Sequence, residues 1–119
     1  MKTQRIGNDA EAFARTWLEK RGLTFIEANF HCRYGEIDLV MIDQSETVFV
    51  EVRFRSHPDY GSATDSVDQF KQLKLVRAAK DYLQRHGLQD SPARIDVVGI
   101  NAYEDHSVEW IRNAVEDSA

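Results

Sequence analysis

A single cysteine, Cys32, is the only thiol in this 119-residue chain, so no internal disulfide can form. That fits a reducing compartment. Flanked by His31 and Arg33, Cys32 is read as an incidental thiol. Long apolar runs are also missing, which excludes a membrane-spanning helix. The opening MKTQRIGNDAEAF lacks an apolar core of signal-peptide length. The expected setting is therefore cytoplasmic, with no membrane partner. Neither repeats nor low-complexity tracts nor linkers divide the chain, so residues 1–119 are expected to form one domain. Positive charge is in deficit: 15 Lys and Arg stand against 20 Asp and Glu, a net of −5. Such a balance argues against a protein that coats nucleic acid by bulk charge. It leaves room for an enzyme that meets phosphate at one local patch, and it leaves carboxylates for a metal site.

What is present reads as alternating helices and strands. Ala10, Phe13, Ala14, Trp17 and Leu18 recur at helical spacing and predict a helix from Asp9 to Arg21, capped by Asn8 and ended by Gly22. A strand is expected at 23–29, then a polar loop, HCRYG. Residues 35–42 and 47–55 are rich in β-branched and aromatic types and form a predicted hairpin. After a loop at 56–65, a second helix runs from Val67 to His86, with a capping box at Ser66 and Gln69 and an end at Gly87. Strands follow at 93–100 and 107–111, and the tail NAVEDSA is expected to fray. The predicted order is α-β-β-β-α-β-β, a mixed sheet with helices packed on it.

The hairpin carries the chemistry. An even turn centred between Gln44 and Ser45 sets Asp38 opposite Glu51 and Glu36 opposite Arg53. Alternation puts Glu51 and Arg53 on one face of their strand. Two carboxylates opposed across a strand pair repel each other and need an offset. A hard divalent cation supplies one, since Mg²⁺ takes carboxylate oxygens and keeps several waters. The plainer reading is a solvated sheet face, with Glu36, Asp38, Glu51, Arg53 and Arg55 in ordinary ion pairs. Glu11, at the edge of the first helix's apolar stripe, either looks into a cleft over the sheet or closes a capping box with Asn8. Lys71, Lys74, Arg77, Lys80 and Arg85 lie on one side of the second helix. They are either a solvated face or a phosphate-contact surface, which Arg55, His57 and Tyr60 would extend. Trp17 is read as core, and Trp110 is ambiguous.

The runs Gly35-Glu36-Ile37-Asp38-Leu39-Val40 and Val48-Phe49-Val50-Glu51-Val52-Arg53-Phe54-Arg55 resemble the small bacterial YraN-like family. So do Gly7, Glu11, Ala14 and Leu18 on the first helix, Lys71 and Lys74 on the second, and Arg94-Ile95-Asp96-Val97-Val98. The likeness covers about residues 5–101. That family is placed among the PD-(D/E)xK phosphodiesterases and is similar to Holliday-junction resolvases. The resemblance implies a restriction-endonuclease-like mixed sheet and a Mg²⁺ or Mn²⁺ site held by Asp38, Glu51 and the Val52 carbonyl. Glu11 would be the helix-borne acid. Arg53 stands where the superfamily carries lysine. Arginine supplies charge and hydrogen bonds but stays protonated, so it cannot act as a base.

The expectation is a Mg²⁺-dependent endonuclease acting on DNA, branched or structured DNA among its substrates. Its catalytic set would be Glu11, Asp38, Glu51 and Arg53, and its DNA contacts Arg55, Lys71 and Lys74. The competing expectation is a nucleic-acid-binding or protein-interaction module that keeps the fold without turnover. A homodimer is compatible with either.

Overall fold

A computed structural model describes residues 2–57, 61–102, 105 and 107–117, with side chains from residue 9 onward. The elements are α1 (Lys2–Glu19), β1 (Thr24–Cys32), β2 (Gly35–Asp43), β3 (Glu46–Arg55), a short 3₁₀ turn (Thr64–Ser66), α2 (Gln69–Arg85), β4 (Ala93–Asn101) and β5 (Ser107–Val115). The five strands form one sheet in the order β1-β2-β3-β4-β5. Only β3 and β4 run parallel, as the crossover through α2 requires. This is the expected α-β-β-β-α-β-β mixed sheet, and it is consistent with a nuclease-like fold. Among the described residues, no helix is long and apolar enough to cross a membrane.

Each face of the sheet buries its own core. On one face Ala10, Ala14 and Leu18 of α1 pack on Leu39, Met41, Val48, Val50, Val98 and Ile100. On the other, Leu75, Ala78, Ala79 and Tyr82 of α2 pack on Ile37, Val40, Phe49, Ile95 and Val97. A sheet covered on both sides must be apolar on both sides, which is why β2, β3 and β4 read as nearly continuous apolar runs. Both helices close at the expected glycines, although α1 stops at Glu19 and α2 at Arg85, short of the expected Arg21 and His86. The Gly22 and Leu23 amides close onto Glu19 and Leu18, and those of Gly87 and Leu88 onto Gln84 and Leu83, with both glycines at positive φ.

Several boundaries differ from the sequence reading. The first helix starts at Lys2, so Asn8 lies inside it and does not cap it. Phe13 is 43% exposed, because the line touching the sheet is the narrower Ala10, Ala14, Leu18 row, whose small members let the helix approach closely. The HCRYG loop shrinks to the turn Arg33–Tyr34, since β1 continues to Cys32 and pairs it with Gly35. The cap of α2 is Asp68, which accepts from the Lys71 amide at 2.8 Å; Ser66 belongs to the preceding 3₁₀ turn. The tail does not fray at once. β5 runs to Val115, which is buried against Ile95. Tyr60 lies outside the described residues.

At Gly99 of β4 the 3₁₀ turn comes down onto the sheet. A Cβ there would meet the Ala63 Cβ at 2.4 Å. Glu109 of β5 fastens the same turn, accepting from the Ala63 amide at 3.2 Å and from Arg55 at 3.1 Å. Across the sheet, Arg94 binds Asp43, Glu46 and the fully buried Asp96 at 2.8–3.0 Å. Asp96 also accepts from Trp110 Nε1 and the Asn113 amide, so Trp110 is a structural residue, with Trp17 edge-on to it at 5.8 Å.

Candidate functional site

The β2–β3 turn has the expected even register, with Asp43 opposite Glu46 and Leu39 opposite Val50. The ladder runs no further than that pair. Beyond it the Val52 amide donates to Asp38 Oδ2 at 2.8 Å, so a side chain takes the hydrogen bond that a strand backbone would have made. Asp38 thus sits in the seam between the two strands, within reach of Glu11 from one face and Glu51 from the other.

On the α1 side, Glu11 and Glu36 join it. One carboxylate oxygen from each of Glu11, Glu36 and Asp38 lies within 4.8 Å of the others. Asn29 of β1 holds this group together. Its backbone turns to φ 57, a conformation asparagine tolerates better than most residues. With its amide nitrogen toward the acids, it donates to Glu11 Oε1 at 3.0 Å and to Glu36 Oε1 at 2.8 Å. On the α2 side stands Glu51, only 3% exposed. Its Oε2 lies 3.4 Å from Arg53 Nη1 and 3.6 Å from Lys71 Nζ, while its buried Oε1 has no hydrogen-bond partner.

The electrostatics follow from this crowding. Burial first, then the Asp38 and Glu36 charges, push Glu11 up to about 7. Burial first, then the Asp38 charge, push Glu51 up to about 7, against the pull of Lys71 and Arg53. Burial also raises Asp38, opposed chiefly by the Val52 amide. Carboxylates that burial and mutual repulsion keep protonated near neutrality are suited to a hard cation. The donor set is all oxygen, as Mg²⁺ or Mn²⁺ prefers. The residues present therefore fit such an ion, and the orphaned Glu51 Oε1 marks where oxygen ligation is unsatisfied.

The structure brings together Glu11, Asp38, Glu51, Arg53 and Lys71. It does not set Glu36 against Arg53. Glu36 pairs in register with His31, and Arg53 turns to Glu51 and to Ser66, donating to the Ser66 hydroxyl at 3.1 Å and to its carbonyl. The reason is the early end of the β2–β3 ladder. Of the expected DNA contacts, Lys74 is exposed beside the site, whereas Arg55 is held inside the protein by Glu109 and the Gly61 carbonyl, its side chain 9% exposed. Lys80 and Arg85 pair with Asp117 and Asp81, away from the acids. Sequence reasoning missed Asn29 altogether and assigned Glu36 to the wrong partner. The signal for Asn29 was its position opposite Asp38 in the neighbouring strand.

Comparison with known proteins gives the same extent as the fold. The profile of the uncharacterised protein family UPF0102 matches residues 10–100. A UPF0102 protein of Alcanivorax borkumensis is 49% identical over 93% of this chain and 91% of its own. One from Coxiella burnetii is 47% identical, covering 96% and 94%. One from Nitrosomonas europaea is 45% identical, covering 94% of each. Matched over most of its length by the profile and nearly end to end by these relatives, the chain belongs to the UPF0102 family.

Proposed function

We propose that the protein is a Mg²⁺- or Mn²⁺-dependent phosphodiesterase of the PD-(D/E)xK kind, acting on DNA. The observation that carries this reading is the Lys71 ammonium, which reaches 3.6 Å from Glu51 next to Arg53. A lysine is thereby restored beside the acids, delivered from α2 where the superfamily's β-strand lysine has become Arg53. The cation would be held by Asp38, with Glu51 and the Val52 carbonyl on one side and Glu11 and Glu36 on the other, directly or through its waters. When bound, it would lower the pKa of a coordinated water and draw charge from the phosphate.

The chain's own residues have separate tasks. Asp38, fixed by the Val52 amide, sets the position of the other acids. Arg53 is a fixed cation, held by Ser66, that would offset the negative charge developing on the oxygens of the scissile phosphate as water attacks and the ester oxygen departs. The Lys71 ammonium supplies a second positive charge and hydrogen-bond donor there. One observation favours the competing reading of a binding module without turnover: the Arg53 guanidinium already spends two of its nitrogens on Ser66. A cleavage assay on branched and linear DNA in Mn²⁺ and Mg²⁺ separates the two. The proposal expects cation-dependent products that Asp38→Ala abolishes. DNA binding with no product from wild type, the metal being bound, would leave the binding module.

A further inference from the structure

Beside the acids, the outer side of α2 carries an aromatic ring in water. Phe70 is 69% exposed, more than any other large apolar residue described. A single exposed apolar side chain needs no explanation, but its neighbours here supply one. Lys74 Nζ lies 4.7 Å from the ring centroid. One residue along from Phe70, Lys71 reaches Glu51. The first turns of α2 also lie directly over the start of β2, since the Lys74 Cβ is 3.7 Å from where a Cβ on Gly35 would stand. That closeness brings the Arg33–Tyr34 turn alongside, where Arg33 lies over the Tyr34 ring at 4.8 Å. Two aromatic rings, each with its own cation, thus stand on either side of the Gly35–Lys74 approach, near the first turns of α2. The α1 side is net acidic instead, with Glu11 and Glu36 beside the paired Arg15 and Glu19.

We propose that Phe70 and Tyr34, with Lys71, Lys74 and Arg33, form a stacking platform for unpaired nucleobases of a strand that runs past the acids. This rests on the phosphodiesterase reading and names its substrate class: DNA with a single-stranded stretch at the cleavage point. Single strands are held by aromatic faces that stack on bases and by basic side chains that follow the backbone. A duplex hides its base faces, so the same rings gain nothing from it. The strip also places positive charge beside the acids, which favours the approach of a polyanion to an acidic protein.

The test is fluorescence anisotropy of the full chain with labelled oligothymidylate and with a duplex of equal length, in Ca²⁺. Wild type should prefer the single strand. Phe70→Ala should weaken single-strand binding by about tenfold and change duplex binding by no more than about twofold. Phe70→Tyr should keep the affinity, and Phe70→Leu should behave like Phe70→Ala, because a ring face is what is needed. The platform is overturned if Phe70→Leu holds the affinity, if Phe70→Ala changes both DNA forms alike, or if wild type binds neither. It is also overturned if Phe70→Ala converts a dimer to a monomer in sedimentation, which would assign the face to a second copy of the chain. Failure of the phosphodiesterase reading looks different: Phe70-dependent strand binding, with no cleavage by wild type in Mn²⁺.

Discussion

The Val52 amide donates to Asp38 Oδ2 at 2.8 Å across the point where β2 and β3 stop pairing at Leu39 and Val50. One side chain therefore both ends the ladder and anchors the acid cluster. Asp38→Asn keeps an acceptor for that amide and should leave the fold near wild type while removing the charge. Asp38→Leu leaves the amide bare in a half-buried seam and should cost about 1–3 kcal/mol. Chemical denaturation of the two variants tests the distinction. Equal stability would mean that the bond does not hold the seam.

The raised carboxylates make stability depend on pH in a definite direction. Glu11 and Glu51 are pushed to about 7 in the folded protein, above their unfolded values. Between those limits the native state holds more protons than the unfolded one, so stability falls as pH rises. Without divalent cation, the chain should be more stable at pH 5 than at pH 7.5. Mn²⁺ should raise Tm more at pH 8 than at pH 6, because it competes with those protons. Thermal denaturation of wild type and Glu51→Gln checks this, with the slope reduced in the variant.

Gly99 and Ala63 leave no room between them. Gly99→Ala would set two methyl groups 2.4 Å apart and should destabilise by about 1–3 kcal/mol. The denaturation midpoint should shift with the m-value unchanged. The same turn holds Ser66 against Arg53, so the variant should lose activity as well as stability.

If the chain is the phosphodiesterase proposed above, Arg53 and Lys71 divide what one lysine does in the PD-(D/E)xK motif. Arg53→Ala should cost on the order of 10²–10³ in cleavage rate, the usual scale for one preorganised charge. Lys71→Ala should cost a similar amount. Arg53→Lys should keep or raise the rate. Single-turnover kinetics on the four forms decide the matter, and equal rates throughout would make both residues structural.

The hairpin was legible in the sequence because its period is two and its turn is even, which fixed the register from Asp43 opposite Glu46 to Leu39 opposite Val50. The rest of the site was less so. Extending that register one pair further predicted Asp38 opposite Glu51, and three pairs further Glu36 opposite Arg53, but a side-chain acceptor interrupts the ladder there, and nothing in the alternation announces it. Glu36 is fixed by β1, whose pairing partner was not assigned from sequence. Asn29 depends on a left-handed backbone at one residue, which composition does not reveal. The acid on α1 was found, although the start of its helix was misplaced, because the position of Glu11 follows from the line of Ala10, Ala14 and Leu18 rather than from the cap. Lys71 was placed on the correct helix, and its reach to Glu51 emerged only from how α2 crosses the sheet.

The central claim is that a divalent cation binds at Asp38, between Glu11 and Glu36 on one face and Glu51 on the other. Titration with Mn²⁺, followed by paramagnetic broadening of backbone amides, measures it most directly. Amides of residues 11, 36, 38, 51 and 52 should broaden first, and Asp38→Asn should abolish that selective loss while the fold persists. Sharp resonances at those residues, with broadening at other acidic patches, would contradict the account.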